Sequence, residues 1–179
     1  MPATTVTSEI SNSRPEPVIV LYYPWFMDHV KTSLLKKSFS SLYFTVGLVE
    51  EVGELADELK KKDGLNNKDN IVSEVGDICW YVYGLCQSLE EIVPEVKTDN
   101  KDNDLLSVCG KLCGSIKKWS RGDKDWDVFQ TRVQTHVSCI LATVARHSPV
   151  SLEEAMRKNI EKIQSRRERG VVRGDGNNR

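Results

Sequence analysis

The segments GLVEEVGELADELKK (residues 47–61) and SEVGDICWYVYGL (residues 73–85) decide how this chain folds. In the first, Leu48, Val49, Val52, Leu55, Ala56 and Leu59 form one apolar stripe at helical spacing. Across the second, Ile71, Val75, Ile78, Val82, Leu85 and Leu89 recur in steps of 4,3,4,3,4. That is the seam of a helix packed against other helices. Between the two stretches, Lys60, Lys61 and Lys62 suit the negative end of a helix dipole, and DGLNNKD breaks the periodicity. The pattern predicts one helix from about Ser41 to Lys62 and another starting near Asn70.

Outward from this pair the chain stays helical, with no convincing alternation of the strand type. A helix is expected from about Trp25 to Ser38, another from about Asp104 to Lys118 ending at WSRGDKD, and another from about Trp126 to His147. Ser151-x-x-Glu154 is a capping box that opens a last helix reaching about Arg166. The expected fold is an all-α helical bundle of five to six helices. Residues 1–22 read as a disordered lead-in, 23–169 as one all-α domain, and 170–179 as a Gly/Asn-rich tail that closes over a site.

An internal repeat is visible. EVGELADELKK (51–61) aligns with VCGKLCGSIKK (108–118) at an offset of 57, and EVGDICWYVYGL aligns with RVQTHVSCILAT at 58. The chain therefore reads as two pseudo-repeated hairpins, although amphipathic helices also resemble one another by chance. Only the first copy carries the acids. Lys111 stands where the first has Glu54, and Arg132 and Thr135 stand where it has Glu74 and Asp77.

Composition narrows the function. The 25 Lys+Arg nearly balance 26 Asp+Glu, so no global basic field points to nucleic acid or a membrane surface. No run of about 18 apolar residues is present to span a bilayer. The five cysteines have no CxxC or His-rich partner motif, so buried thiols in a reducing compartment are favoured over zinc. The expected location is cytoplasmic, with an organellar transit peptide left open. The Arg-rich stretch from Arg157 to Arg179 is either a generic basic arm or an anion-binding element.

Glu51 and Glu54 stand i,i+3 on one helix, and Glu74 and Asp77 stand i,i+3 on the next. Nineteen residues separate Glu54 from Glu74, enough to finish one helix, turn and start another antiparallel to it. Two carboxylates ~6 Å apart repel by roughly 3 kcal/mol at an effective dielectric of 20, so four or five converging acids call for a cation. Oxygen ligands without His or Cys select Mg²⁺, Mn²⁺ or Ca²⁺. The alternative is a solvated acidic face, and it weighs most on Glu50 and Glu54, which lie nearly opposite the helix's own stripe. Gly53 and Gly76, beside the acids, suggest close approach of a backbone or ligand.

GLVEEVGELADELKK followed by SEVGDICWYVYGL resembles the MazG-like, all-α nucleoside triphosphate pyrophosphohydrolases, whose signature is ExxE, about twenty residues, then ExxD. NIEKIQSRRERGVVRGDGNNR resembles a branch in which an Asn-x-x-Lys helix runs into a tail ending Gly-Ser-Gly-Asp-Asn-Arg, although here Asp175 and Asn177 are rearranged. The resemblance implies Glu51, Glu54, Glu74 and Asp77 as Mg²⁺ ligands, with Mn²⁺ a possible substitute, and Glu50 as general base. It implies hydrolysis of nucleoside triphosphates to the monophosphate and pyrophosphate, in a homodimer or homotetramer.

Lys158, Asn159, Lys162, Arg166 and Arg179 are the expected phosphate contacts, with a solvated basic helix as the alternative for the three central cations. Trp80 and Tyr81 are possible base contacts, although aromatics at heptad spacing more often belong to a core. The element expected to face Glu50 and Glu54 is the acid-free second hairpin, with the basic tail as a lid. The other readings are a hydrolase of the same fold acting on dUTP or another diphosphate-containing substrate, and a non-catalytic helical scaffold.

Overall fold

The structure is a computed structural model describing residues 37–61, 67–89 and 104–171. It contains α1 (Lys37–Lys60), α2 (Lys68–Ser88), α3 (Leu105–Ser120), α4 (Trp126–His147) and α5 (Leu152–Glu168). The all-α expectation is borne out, with no strand among the described residues. The helix expected over Trp25–Ser38 lies outside the described residues, except that residues 37 and 38 belong to α1. None of these helices is long and apolar enough to cross a membrane.

Two antiparallel hairpins, α1–α2 and α3–α4, account for four of the helices, and α5 packs along α2. Weaker contacts of α1 with α3 and of α2 with α4 join the hairpins. The central position of α2 explains its composition. Val75, Ile78, Val82 and Leu85 are fully buried as the seam predicts, and Val72, Cys79, Tyr83 and Cys86 are buried on other sides. On α1 the stripe is narrower than expected. Leu48, Val52 and Leu55 are buried, whereas Leu59 is 40% exposed because α1 ends one residue later, beyond its packing partner's first turn.

Three glycines set how closely α2 is approached. A Cβ on Gly47 would lie 2.1 Å from the Tyr81 ring, and one on Gly84 would lie 2.2 Å from the Phe44 ring. Each helix of the first hairpin thus seats an aromatic ring on its partner's glycine. A Cβ on Gly76 would meet the Ala155 carbonyl and Asn159 Cβ, both at 2.9 Å, so Gly76 lets α5 lie against α2. At Gly53 no protein atom makes the close approach, since an added Cβ would meet nothing within 4 Å among the described residues.

The turns follow local chemistry. Asn67, buried, donates from Nδ2 to the Glu58 carbonyl at the end of α1 while itself preceding α2. The Asp104 carboxylate accepts from the Leu106 and Ser107 amides and caps α3. Gly122, at φ 77°, ends α3 in the left-handed conformation that favours glycine. Trp119 stacks on Phe129 at 4.5 Å, with Trp126 beside them, and this cluster closes the second hairpin. The Ser151 hydroxyl accepts from the Glu154 amide at 3.1 Å, the cap expected for α5.

All five cysteines are free. Burial pushes the Cys79, Cys86 and Cys109 thiols up to about 12, so they remain protonated and inert. No cysteine or histidine cluster suited to a metal occurs among the described residues.

Candidate metal and phosphate site

The antiparallel register of α1 and α2 puts the two carboxylate pairs side by side. Glu51, Glu54 and Glu74 each offer an oxygen to a group whose members all lie within 4.8 Å of one another. Their environments are graded. Glu74 is only 2% exposed, Glu51 is half-buried and Glu54 faces solvent. Burial first, and then the charges of Asp77, Glu74 and Glu54, push the Glu51 carboxyl up to about 9. Near neutral pH the coupled acids therefore share a retained proton, which a hydrogen bond between Glu51 and Glu74 holds. A cluster that must retain a proton to relieve its own repulsion has the chemistry of a cation site.

Asp77 sits one turn beyond Glu74 and is engaged differently. It accepts a hydrogen bond from Asn159 Nδ2 at 2.6 Å and an ion pair from Lys162 Nζ. The same Lys162 ammonium donates to Ser73 Oγ at 3.0 Å. Ser73 and Asp77 are i,i+4 on α2, so the two acceptors lie on one face and hold the lysine between them. Asp77 charges the cluster through space, as the largest charge effect on Glu51, but its carboxylate is outside the tight three-acid group. Ser73 was not anticipated from the sequence. Its spacing from Asp77 is the signal that was available.

The cation brought to the acids comes from α5, the segment that carries the expected contacts Asn159 and Lys162. On α5, Ala155, Asn159, Lys162 and Arg166 recur in steps of 4,3,4 and turn toward the interior. Ala155, Asn159 and Arg166 are buried and Lys162 is half-buried. Asn159 is 2% exposed and its Oδ1 has no hydrogen-bond partner among the described residues, so one acceptor beside Asp77 remains to be satisfied. Lys158 lies on another face, exposed and paired with Glu154 at 3.9 Å. Arg179, with Asp175 and Asn177, lies outside the described residues.

Glu50 is exposed on α1 next to Glu51. Tyr81, half-buried across Gly47, has its ring 6.0 Å from that of Tyr43, and its phenol is raised by burial first, then by Tyr43, with smaller contributions from the Glu51 and Glu50 charges. Tyr81 thus borders the acids, and both Trp80 and Tyr81 are partly buried against the hydrophobic core.

A helical hairpin with convergent acids, braced by an Asn-x-x-Lys helix, is the class this architecture defines. The family model of the MazG nucleotide pyrophosphohydrolase domain matches residues 39–112, a stretch containing all four carboxylates, so the expected MazG-like character is borne out. The chain is also similar to the gene 37 protein of Mycobacterium phage L5, with 27% identity over 144 residues, covering 76% of this chain and 75% of the phage protein. No solved structure matches.

Proposed function

We propose that the protein hydrolyses nucleoside triphosphates to the monophosphate and pyrophosphate in a Mg²⁺-dependent reaction. The observation that carries this reading is the convergence of Glu51, Glu54 and Glu74 within 4.8 Å inside a MazG-like segment. These residues would hold the cation, with Asp77 joining them. Mg²⁺, or Mn²⁺ in its place, supplies charge neutralisation of the triphosphate and lowers the pKa of a bound water.

Around that centre the chain's own groups divide the work. Glu50, exposed beside the first ligand, accepts the proton of the attacking water as the new P–O bond forms and pyrophosphate departs. Lys162 balances charge next to Asp77, and Asn159 fixes the Asp77 carboxylate from the buried side. Arg166 and Arg179 complete the proposed phosphate contacts, and Tyr81 and Trp80 the base contact. The reading includes a nucleotide-pool house-cleaning role in the cytoplasm. It also includes self-association to a homodimer or homotetramer, for which exposed Leu42, Tyr43 and Val46 on α1 offer an apolar surface.

The test is a panel of NTPs and dNTPs with Mg²⁺, measuring pyrophosphate against orthophosphate. Pyrophosphate from one or more substrates is expected, lost in Glu74→Gln and Asp77→Asn with helicity unchanged. Orthophosphate as the main product would exclude cleavage between the α and β phosphates. No turnover of any nucleotide by a folded protein would favour a scaffold.

A further inference from the structure

The second hairpin has a feature that the proposed reaction does not use. Between α3 and α4 lies a groove of about 510 Å³. Lys111, Lys118 and Arg132 border it, with Ser115 and His136 between them, and no carboxylate or residue of the acidic cluster lines it. None of the three permanent cations is ion-paired with an acid among the described residues. His136 Nε2 lies 3.3 Å from Ser115 Oγ, and its pKa is lowered by burial and then by Lys111 and Arg132, so the cations' field reaches the groove.

The α3 wall is also bare. Gly110 and Gly114 both line the groove, and a Cβ on either would touch nothing within 4 Å. Each glycine weakens a helix interior by about 1 kcal/mol relative to alanine. Neither gains packing among the described residues, in contrast with Gly47, Gly76 and Gly84. Their effect is to leave α3 backbone open to whatever enters.

The repeat adds a third observation. With offsets of 57 and 58, Ser107, Lys111 and Arg132 occupy the positions of Glu50, Glu54 and Glu74. Two of the three clustered acids thus have cationic counterparts at the groove, Lys111 for Glu54 and Arg132 for Glu74, while Glu51 corresponds to Val108, which is buried in the core.

We propose that the α3–α4 groove is a second binding site, which takes the di- or triphosphate group of a small ligand without a metal ion. Three fixed positive charges within one groove exceed what a single carboxylate neutralises and match the several charges of a polyphosphate. The volume falls within the range of small-molecule sites. The proposal does not depend on the reaction assigned to the acidic cluster.

Calorimetry of the full chain in EDTA, with tripolyphosphate and separately with nucleoside triphosphates, tests it. Saturable binding of one ligand per chain is expected, weakened at least tenfold by Lys111→Glu with Arg132→Glu and unchanged by Glu51→Gln. In the unmutated protein the His136 ring resonances should follow saturation, with the imidazole pKa rising. Equal affinity for both ligands identifies the polyphosphate as the recognised group, and tighter nucleotide binding adds a nucleoside contact. Either result supports the site. No saturable binding of either ligand, or binding indifferent to the double substitution with His136 unmoved, would overturn the proposal.

Discussion

Replacing Glu51 by glutamine should stabilise the metal-free protein at alkaline pH. In the folded chain the Glu51 carboxyl is raised from 4.5 to about 9, so between those values the folded state holds a proton that the unfolded state has released. Stability is then fully present below about pH 4.5 and is lost as pH rises toward 9. One pKa unit corresponds to about 1.36 kcal/mol, which gives a ceiling of about 6 kcal/mol for the whole interval. Glu54 is exposed, and the side chains can separate into solvent, which reduces that figure by half or more. Glu51→Gln keeps the shape and a donor toward Glu74 but cannot ionise. Its stability relative to the unsubstituted protein should be near zero at pH 5 and reach about 2–3 kcal/mol in its favour at pH 8. Urea denaturation in EDTA, from pH 5 to 9, measures this difference, and contributions from His136 and other groups cancel between the two proteins. Parallel pH profiles, or a less stable variant at pH 8, would refute convergence of the carboxylates.

Four further outcomes are expected. Gly76→Ala should cost about 1–3 kcal/mol in denaturant unfolding, because the added methyl meets the Ala155 carbonyl and Asn159 at 2.9 Å and displaces α5. Lys162→Ala should lower kcat/KM for the best nucleotide by about tenfold to a hundredfold while circular dichroism is unchanged, since it removes the cation beside Asp77. Ser151→Ala should cost about 1 kcal/mol of stability through loss of the α5 cap. Leu112→Ala, at a fully buried site of the second hairpin, should cost about 2–5 kcal/mol.

The α2 seam was legible in the sequence because a helix buried on several sides leaves little freedom in its apolar spacing. Val75, Ile78, Val82 and Leu85 are all fully buried where the pattern puts them. The WSRGDKD break and the Ser151 cap were legible for a local reason, since each depends on residues within one turn. Leu59 was misjudged because burial needs a partner as well as a stripe, and the partner helix does not cover that last turn of α1. Gly53 and Gly76 have the same sequence context, an acid beside a helical glycine. Only the approach of α5 separates them.

The carboxylates are where local helix geometry and tertiary packing part. The sequence by itself determined that Glu51/Glu54 and Glu74/Asp77 form pairs, because i,i+3 spacing on a helix places side chains together whatever surrounds them. It also determined that an Asn-x-x-Lys segment would follow. Only the tertiary structure decided that Glu51, Glu54 and Glu74 close into one group while Asp77 turns to Asn159 and Lys162. It also decided that the second hairpin's cations line a groove of their own. Distances between helices depend on how closely backbones pack, and here glycines and rings in several separate helices set them.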